Sequence, residues 1–318
     1  MLLDKEQQIL YADNETFILK ELIGQGATAK VFKCYSNNIC YTIKIFYSEK
    51  ENVYLNEIQI LSQLRSNNIV NLVSYGKGRL ENCFPLPTNA CYIVFEYMEN
   101  GDLFDYIEIL KQGFPEQIAK NIFIQVLHAI QDCKRAGIVH NDIKTENILI
   151  TNDFKVKLSD FGFAKQNIDN KLLFDWNGTE IYCSPEIRYY ATKGYDGYKN
   201  DIFSLGVFLF ILTVGSFPYS SSGFTDIHYK CLAKEDYSSF WKHFDDVNIS
   251  SECKDLINSM MCFNSNKRIS LENILEHKWL CNCINDCAFG DSLELYQKEF
   301  EYRKIIVDIT KKSKTADE

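Results

Sequence analysis

Two short polar motifs, separated by an apolar strand pattern, constrain this chain more than any other feature. The octapeptide HNDIKTEN occupies positions 140–147, and the tripeptide DFG begins at Asp160. Asp142 can orient an attacking hydroxyl and accept its proton, and Lys144 can neutralise a phosphoryl group in transfer. Asn147 and Asp160 offer oxygen ligands of the kind that Mg²⁺ prefers. Because phosphoryl transfer needs little more than a base, a cation and two metal ligands, the motifs predict a phosphotransferase site.

A glycine-rich stretch near the N-terminus is a candidate phosphate site. Positions 24–29 read GQGATA, which fits both a dinucleotide fingerprint and a loop that folds over a nucleotide. A dinucleotide site needs a helix that opens at the glycines, whereas positions 29–46 alternate and turn like a β-hairpin. Lys44 in this hairpin can meet the α- and β-phosphates, and Glu57 in the following helix can hold it. Such a pair alone would be worth under about 1 kcal/mol, so its meaning depends on the later motifs.

The apolar pattern divides the chain into a sheet-rich part and a helix-rich part. Five runs rich in β-branched and aromatic residues predict five strands: FILKELIG, AKVFKCY, CYTIKIF, NLVSYGKG and CYIVFEY. A helical pattern at about positions 52–63 interrupts them, and helices dominate from Asp102 onward. We therefore predict an α+β fold with two lobes, a small five-stranded β lobe with one helix and a larger, mainly helical lobe. The expected parts are an N-terminal extension (1–15), a small lobe (16–97), a large lobe (98–281) and a C-terminal tail (282–318).

Charge and composition restrict the kinds of partner and the cellular location that we expect. A net charge of −9 argues against nucleic acid and anionic membranes as partners, since both need a basic face. The apolar run at 202–214 would make about 20 Å of helix, too short for a bilayer core of about 30 Å, and predicts a core helix. Twelve scattered cysteines and an opening MLLDKEQQIL without signal-peptide character predict free thiols in a cytoplasmic protein, or a nuclear one. Cys281, Cys283 and Cys287 cluster but lack the spacing and the fourth ligand of a zinc site.

With all these motifs in order, positions 16–281 resemble a eukaryotic protein kinase. GQGATAKV resembles the glycine-rich loop, with Ala29 in place of the third glycine, and TIK resembles the strand-three lysine motif. HNDIKTEN resembles the catalytic loop and DFG the metal loop. GTEIYCSPE resembles the substrate-binding end of the activation segment. Asp201 resembles the aspartate that anchors the catalytic loop, and Arg268 the late arginine that pairs with Glu186.

The resemblance implies a serine/threonine protein kinase that uses ATP and Mg²⁺ and acts on protein hydroxyls. Two residues favour a serine/threonine kinase over a tyrosine kinase. Lys144 lies two residues after Asp142, and Thr179 is similar to the threonine that bridges this lysine and this aspartate. The implied catalytic residues are Asp142, Lys144 and Thr179. The implied metal ligands are Asn147 and Asp160. ENILI and EHKWL are most similar to the calcium/calmodulin-dependent kinase group. The positions implied for nucleotide contact are Ile23, Gly24, Gln25, Gly26, Ala27, Thr28, Ala29, Val31, Thr42, Lys44, Glu57, Phe95, Glu96, Met98, Asp102 and Leu149.

Two departures from the family pattern concern regulation. Asn141 stands where many regulated kinases have an arginine, whose charge an activation-loop phosphate neutralises. Positions 161–178 contain no Ser, Thr or Tyr. Both features predict activity that does not require phosphorylation of this segment. Asp102 and Glu146 are placed to receive a basic residue N-terminal to the phosphorylated hydroxyl, so we expect a mild preference for basic substrates.

Other interpretations stay open at this stage. An inactive kinase-like scaffold would keep the fold without catalysis, but the lysine, the base and the metal ligands are all present. Small-molecule kinases share an H-x-D-x-x-x-x-N loop, yet GTEIYCSPE and Arg268 are typical of a peptide-binding lobe. A dehydrogenase is disfavoured by the strand after the glycines. The tail sequence LELYQKEFEYRKIIVDI is either an amphipathic helix docked on the large lobe or a solvated appendage, and the oligomeric state is not predicted.

Overall fold

The computed structural model describes residues 7–83, 86–281 and 289–316, which form the two predicted lobes. The strands of the small lobe are β1 (Gln8–Tyr11), β2 (Thr16–Gln25), β3 (Ala29–Ser36), β4 (Ile39–Phe46), β5 (Leu72–Glu81) and β6 (Asn89–Glu96). They pair in the order β1-β2-β3-β4-β6-β5, and β1 closes the sheet by pairing antiparallel with both β2 and β5. The predicted count of five strands was therefore one short. β1 was missed because QILY is too short to show an alternating pattern.

Helix α1 (Glu51–Leu61) packs on the sheet of the small lobe and corresponds to the helix predicted there. Tyr54, Ile60 and Leu61 are buried, and the Tyr54 ring meets Phe46 of β4 with centroids 5.5 Å apart. Glu57 lies on the same buried face, one turn after Tyr54. The apolar packing of the helix therefore carries a carboxylate into the interior, toward β4.

The large lobe is built mainly from helices around α5 (Gly197–Val214). Asp196 caps its N-terminus by accepting hydrogen bonds from the amides of Tyr198 and Lys199. Of the helices in the described ranges, α5 alone is long and apolar enough to cross a membrane, but 89% of it is buried inside the protein, as a core helix would be. The remaining helices are α2 (Leu103–Leu110), α3 (Glu116–Arg135), α4 (Pro185–Tyr190), α6 (Ile227–Ala233), α7 (Tyr237–Trp241), α8 (Ser251–Met260), α9 (Leu271–Leu275), α10 (Lys278–Cys281) and α11 (Phe289–Ala316).

Four short strands hold the two polar motifs in place. HNDIKTEN joins β7 (Ile138–Val139) to β8 (Ile148–Ile150), and β8 pairs with β9 (Val156–Leu158), just before DFG. The Ser159 amide donates to the Asn147 carbonyl at 2.8 Å, which extends this hairpin by one step. β10 (Lys165–Gln166) then pairs back on β7. Antiparallel pairing of β8 with β9 thus brings the ends of both motifs together.

The C-terminal helix α11 is docked on the large lobe, which decides between the two possibilities left open for the tail. Its inward face carries Tyr296, Phe300, Arg303 and Val307, all buried. The Phe300 ring lies 5.3 to 6.0 Å from three aromatic rings, those of Tyr106, Phe114 and Phe154. Arg303 lies over the Phe114 ring at 3.7 Å and donates to the Gly113 carbonyl at 2.9 Å. The buried guanidinium is therefore satisfied by stacking, by backbone oxygens and by the Glu299 carboxylate, which accepts from its Nε at 2.6 Å.

Replacing Phe300 by alanine tests whether α11 is part of the packed core. We expect a loss of about 3–5 kcal/mol in the free energy of unfolding, because the cavity would open among three aromatic rings. Tyr302, 60% exposed on the same helix, is the matched control, and Tyr302→Ala should change this free energy by no more than about 0.5 kcal/mol. Urea unfolding followed by circular dichroism measures both, and equal effects would contradict the docked helix.

Candidate active site

A buried ion cluster lies where β4, α1 and the DFG motif meet. The Lys44 ammonium donates to the two Glu57 carboxylate oxygens at 2.9 and 2.8 Å, and to Asp160 Oδ1 at 2.8 Å. Lys44 is 8% exposed and Glu57 is fully buried. The sequence left open whether these two residues form more than a surface pair. Their burial, and the third partner, make the cluster an interior feature of the cleft.

The cluster keeps Lys44 and Asp160 ionised, whereas burial raises the pKa of the Glu57 carboxyl although Lys44 opposes that rise. Burial opposes the charged form of Lys44, but the carboxylates of Asp160 and Glu57 outweigh it and raise the pKa of the ammonium. Burial also opposes ionisation of Asp160, yet the neighbouring Lys44 lowers the pKa of that carboxyl to about 2. A Cβ on Gly162 would lie 3.3 Å from Asp160 Oδ1, so the glycine leaves room beside this carboxylate. Asp160 is therefore an anion at neutral pH, as a metal ligand must be.

Asp201 on α5 fixes the backbone of the catalytic loop. Its two carboxylate oxygens accept hydrogen bonds from the amides of His140 and Asn141, at 2.8 and 2.9 Å. Asn141 has a φ of 64°, a left-handed conformation that is unfavourable for most residues and is held here by these bonds. Burial raises the pKa of Asp201 to about 7, and the two amide bonds oppose this rise. The loop is thus set in a strained shape before any substrate arrives.

The side chains of the loop form one hydrogen-bonded group around Asp142. Lys144 Nζ lies 2.9 Å from Asp142 Oδ2 and donates to Thr179 Oγ1 at 2.9 Å. The Thr179 hydroxyl donates to Asp142 Oδ1 at 2.8 Å. Asn147 donates its amide protons to the Asp142 carbonyl at 2.8 Å and to Oδ2 at 3.0 Å. Because its NH₂ group is engaged in this way, the amide oxygen of Asn147 is the atom suited to a metal.

A cavity of about 820 Å³ lies between the lobes, a volume suited to a nucleotide. It is lined by Lys144, Asn147 and Asp160, and by every position predicted for nucleotide contact except Ala27: Ile23, Gly24, Gln25, Gly26, Thr28, Ala29, Val31, Thr42, Lys44, Glu57, Phe95, Glu96, Met98, Asp102 and Leu149. Ala27 lies in the turn between β2 and β3. Asp142 and Thr179 do not line the cavity, but both contact Lys144, which does.

The donor set fits a magnesium nucleotide. A carboxylate and an amide oxygen are hard ligands, and the phosphates of a nucleotide would complete the coordination. Among the residues that the structure describes, no group of three or more His, Cys, Asp or Glu could hold a metal by itself. The cysteine cluster of the tail is only partly described, because Cys283 and Cys287 lie outside the described residues. Asn147 and Asp160 could hold a metal together with the phosphates of a nucleotide.

The activation segment is held by neutral hydrogen bonds around Asn141. Its NH₂ group donates to the Phe163 carbonyl at 3.2 Å, and its Oδ1 accepts from the Tyr195 hydroxyl at 3.3 Å. Tyr195 also exchanges two backbone hydrogen bonds of 2.8 Å with Leu173. The Tyr195 hydroxyl lies 3.3 Å from the Asp175 carbonyl as well. The sequence singled out Asn141 but gave no signal for Tyr195, which lies 54 residues away.

The predicted pair of Arg268 with Glu186 is formed, and so is a ring contact between His140 and Phe161. The Arg268 guanidinium binds both Glu186 oxygens, at 2.6 and 2.9 Å, and is 2% exposed. The His140 and Phe161 rings pack edge to face with centroids 4.8 Å apart. The first pair fastens the end of the activation segment to the large lobe, and the second fastens DFG to the catalytic loop.

Sequence reasoning missed one wall of the cavity. Lys304, Val307, Asp308 and Lys311 of α11 line it beside the start of α2. A signal was present, since Tyr296, Phe300 and Val307 recur at helical spacing. The position between them is Arg303, a residue type that is normally exposed, and this weakened the pattern.

Comparisons with known proteins agree with this geometry. Residues 17–280 match the model of the protein kinase domain family. Serine/threonine-protein kinase kin-29 of Caenorhabditis briggsae is 38% identical over 193 residues, which are 60% of this chain and 22% of that protein. Testis-specific serine/threonine-protein kinase 1 of Mus musculus is 32% identical over 280 residues, 83% of this chain and 72% of that protein. Serine/threonine-protein kinase SIK1 of Rattus norvegicus is 31% identical over 233 residues, 73% of this chain and 27% of that protein. The chain thus spans about a quarter of the length of the kin-29 and SIK1 relatives.

Proposed function

This chain belongs to the protein kinase family, and we propose that it transfers the γ-phosphate of ATP to serine or threonine hydroxyls of proteins. The observation that supports this most strongly is that Lys44, Asn147 and Asp160 line one cavity between the lobes, with Asp142 hydrogen-bonded to Asn147 beside it. These residues come from three separate segments of the chain, and phosphoryl transfer uses all four together. The names of the relatives, which are serine/threonine-protein kinases, favour the same hydroxyl type.

Each residue has a role that follows from its contacts. Lys44, fixed by Glu57, would neutralise the α- and β-phosphates beneath the glycine-rich loop. Asn147 and Asp160 would hold Mg²⁺, which neutralises charge on the phosphates when it is bound. Asp142 would orient the substrate hydroxyl and accept its proton, and Lys144 would stabilise the transferring phosphoryl group. Because the loop is already fixed by backbone hydrogen bonds, little reorganisation is needed at the moment of transfer.

Replacing Asp142 by asparagine separates an enzyme from an inactive scaffold. Asparagine has nearly the same shape but cannot accept a proton, so we expect kcat to fall by about 10²–10⁴. Nucleotide affinity should be retained, because Asp142 does not line the cavity. Transfer from γ-labelled ATP to a peptide library, with Mg²⁺ present, measures the first quantity, and calorimetry with ADP measures the second.

The matched control is Glu235→Gln, at an exposed pair with Lys267 on the large lobe, which should leave transfer unchanged. Absence of transfer by the wild type, with nucleotide binding intact, would favour the scaffold. Transfer to small hydroxyl compounds but not to peptides would favour a small-molecule kinase. Equal activity of Asp142→Asn and wild type would contradict the assigned base.

We also propose that this activity does not depend on phosphorylation of the activation loop, positions 161–178. Asn141 carries no charge for a phosphate to neutralise, and positions 161–178 offer no hydroxyl. In their place, Asn141 and Tyr195 join the segment to the catalytic loop by neutral hydrogen bonds. The same ordering that a phosphate provides in other kinases is here supported by the amide and the phenol.

Protein made in a bacterial host and treated with phosphatase should therefore be fully active. Tyr195→Phe, which removes the hydroxyl between Asn141 and Asp175, should lower kcat about threefold to tenfold, because each lost bond is worth on the order of 1 kcal/mol. Tyr189→Phe removes a hydroxyl that donates to the Ser222 carbonyl instead and is the control. Steady-state assays measure the two variants. Dependence of the wild type on an upstream kinase would contradict this proposal.

The substrate, the partners and the location remain proposals. Asp102 and Glu146 are both near the mouth of the cavity, which favours substrates with a basic residue before the phosphorylated hydroxyl. A positional peptide library that selects acidic residues there would exclude this preference. The net charge of −9 gives no reason to expect nucleic acid or membrane partners, and we propose a cytoplasmic location.

A further inference from the structure

Helix α11 borders the nucleotide cavity although it lies beyond residues 17–280, which match the kinase domain. Lys304, Val307, Asp308 and Lys311 line the cavity from one side. Asp102 and Asp105, at the start of α2, line it beside them. A segment outside the family domain thus supplies part of the wall of the proposed ATP site.

The helix is held rigidly enough to place these side chains. Phe300 is fully buried among aromatic rings, and Val307 is 5% exposed. Arg303 is 1% exposed and donates through its guanidinium to the backbone after α2. Lys311 comes one turn after Val307, so the packed face of α11 fixes where its ammonium can reach.

Lys311 is linked to Asp102 through a short chain of contacts. Its ammonium lies 2.5 Å from Asp105 Oδ2. The amide of the same Asp105 donates to Asp102 Oδ1 at 3.0 Å, which caps the N-terminus of α2. Asp105 therefore joins the two, because its side chain pairs with Lys311 and its backbone amide donates to Asp102. Asp102, one of the positions implied for nucleotide contact, resembles the acidic residue that lies near the ribose in protein kinases.

We propose that Lys311 is a positioning residue for the nucleotide, which acts through Asp105 to hold the Asp102 carboxylate toward the ribose hydroxyls. This inference rests on the proposed function, because the ribose would lie at Asp102 only if ATP binds in this cavity. Through Lys311, helix α11 contributes to nucleotide binding at the ATP site. The catalytic group itself does not include Lys311.

The charges around Asp102 support this role. Burial and the carboxylate of Asp105 raise the pKa of Asp102 to about 6, the carboxylate of Glu146 adds to this, and Lys311 opposes it. Asp308 lies near the same ammonium. Ribose hydroxyls bind a carboxylate better than a neutral carboxyl group, so affinity should fall as the pH decreases through this pKa. Removing Lys311 raises the pKa further, and the fall should begin at a higher pH.

Adenosine is the probe that isolates this effect, because it has no phosphates to titrate. For the wild type, calorimetry between pH 5.5 and 8 (a range chosen to span the pKa of about 6) should show adenosine affinity decreasing toward the acid end. In Lys311→Met the midpoint should move up by about half a pH unit, a modest shift because Lys311 is more than half exposed. At the same acidic pH the variant should bind adenosine about twofold to threefold more weakly.

Three controls accompany this variant. Lys311→Arg keeps the charge and should restore the wild-type profile. Lys298→Met removes another lysine of α11, paired with Glu294 away from the cavity, and should change nothing. For all four proteins, 2′,3′-dideoxyadenosine, which lacks the ribose hydroxyls, should bind without this pH dependence.

Several outcomes would overturn the inference. One is a pH profile of adenosine binding by Lys311→Met that is identical to that of the wild type. Another is equally weakened binding of adenosine and 2′,3′-dideoxyadenosine by this variant, which would indicate a general structural effect. Tighter binding by Lys311→Met would show that α11 obstructs the site instead of supporting it. The proposed function fails separately, if the wild type binds adenosine in the expected way but transfers no phosphate to peptides.

Discussion

The buried ion cluster of Lys44, Glu57 and Asp160 is the interaction on which the rest of the site depends. It joins a strand and a helix of the small lobe to the metal motif of the large lobe, with each contact below 3 Å. Removing one partner of a buried pair costs about 3–5 kcal/mol, because the remaining charges lose both water and partner. The cluster therefore sets how the two lobes face each other across the cleft. It also leaves Asp160 ionised where a magnesium nucleotide needs an anion.

The large lobe supplies the second half of the site, where hydrogen bonds hold both the backbone and the side chains of the catalytic loop. Asp201 holds the amides of His140 and Asn141, and the loop that follows presents Asp142 to its partners. Asn141 has two functions in this arrangement, since its backbone carries the strained turn and its side chain reaches the activation segment. We propose that a neutral amide in this position orders the segment without a phosphate. An arginine would need a phosphate to do the same.

Much of this could be predicted from the sequence, because the chemistry resides in contiguous motifs with fixed spacing. HNDIKTEN and DFG are brought together by a short hairpin between them, and α1 carries Glu57 on its apolar face by helical periodicity. What could not be predicted depends on contacts between distant positions. In the sequence nothing distinguishes Tyr195 from a surface aromatic residue, and only the folded structure shows that it lies beside Asn141. The docking of α11 could not be predicted because its central inward residue is Arg303, whose burial depends on Glu299 and also on two backbone carbonyls and a ring that only the folded lobe provides.

The central claim is that the separated motifs form one magnesium–nucleotide pocket, and the Mg²⁺ dependence of ADP binding tests it most directly. Calorimetry should show that Mg²⁺ increases the ADP affinity of the wild type. In Asp160→Asn this Mg²⁺-dependent increase should be lost, while Asp169→Asn, at an exposed ion pair with Lys171, should retain it. An Asp160→Asn protein that responds to Mg²⁺ as strongly as the wild type would contradict the account.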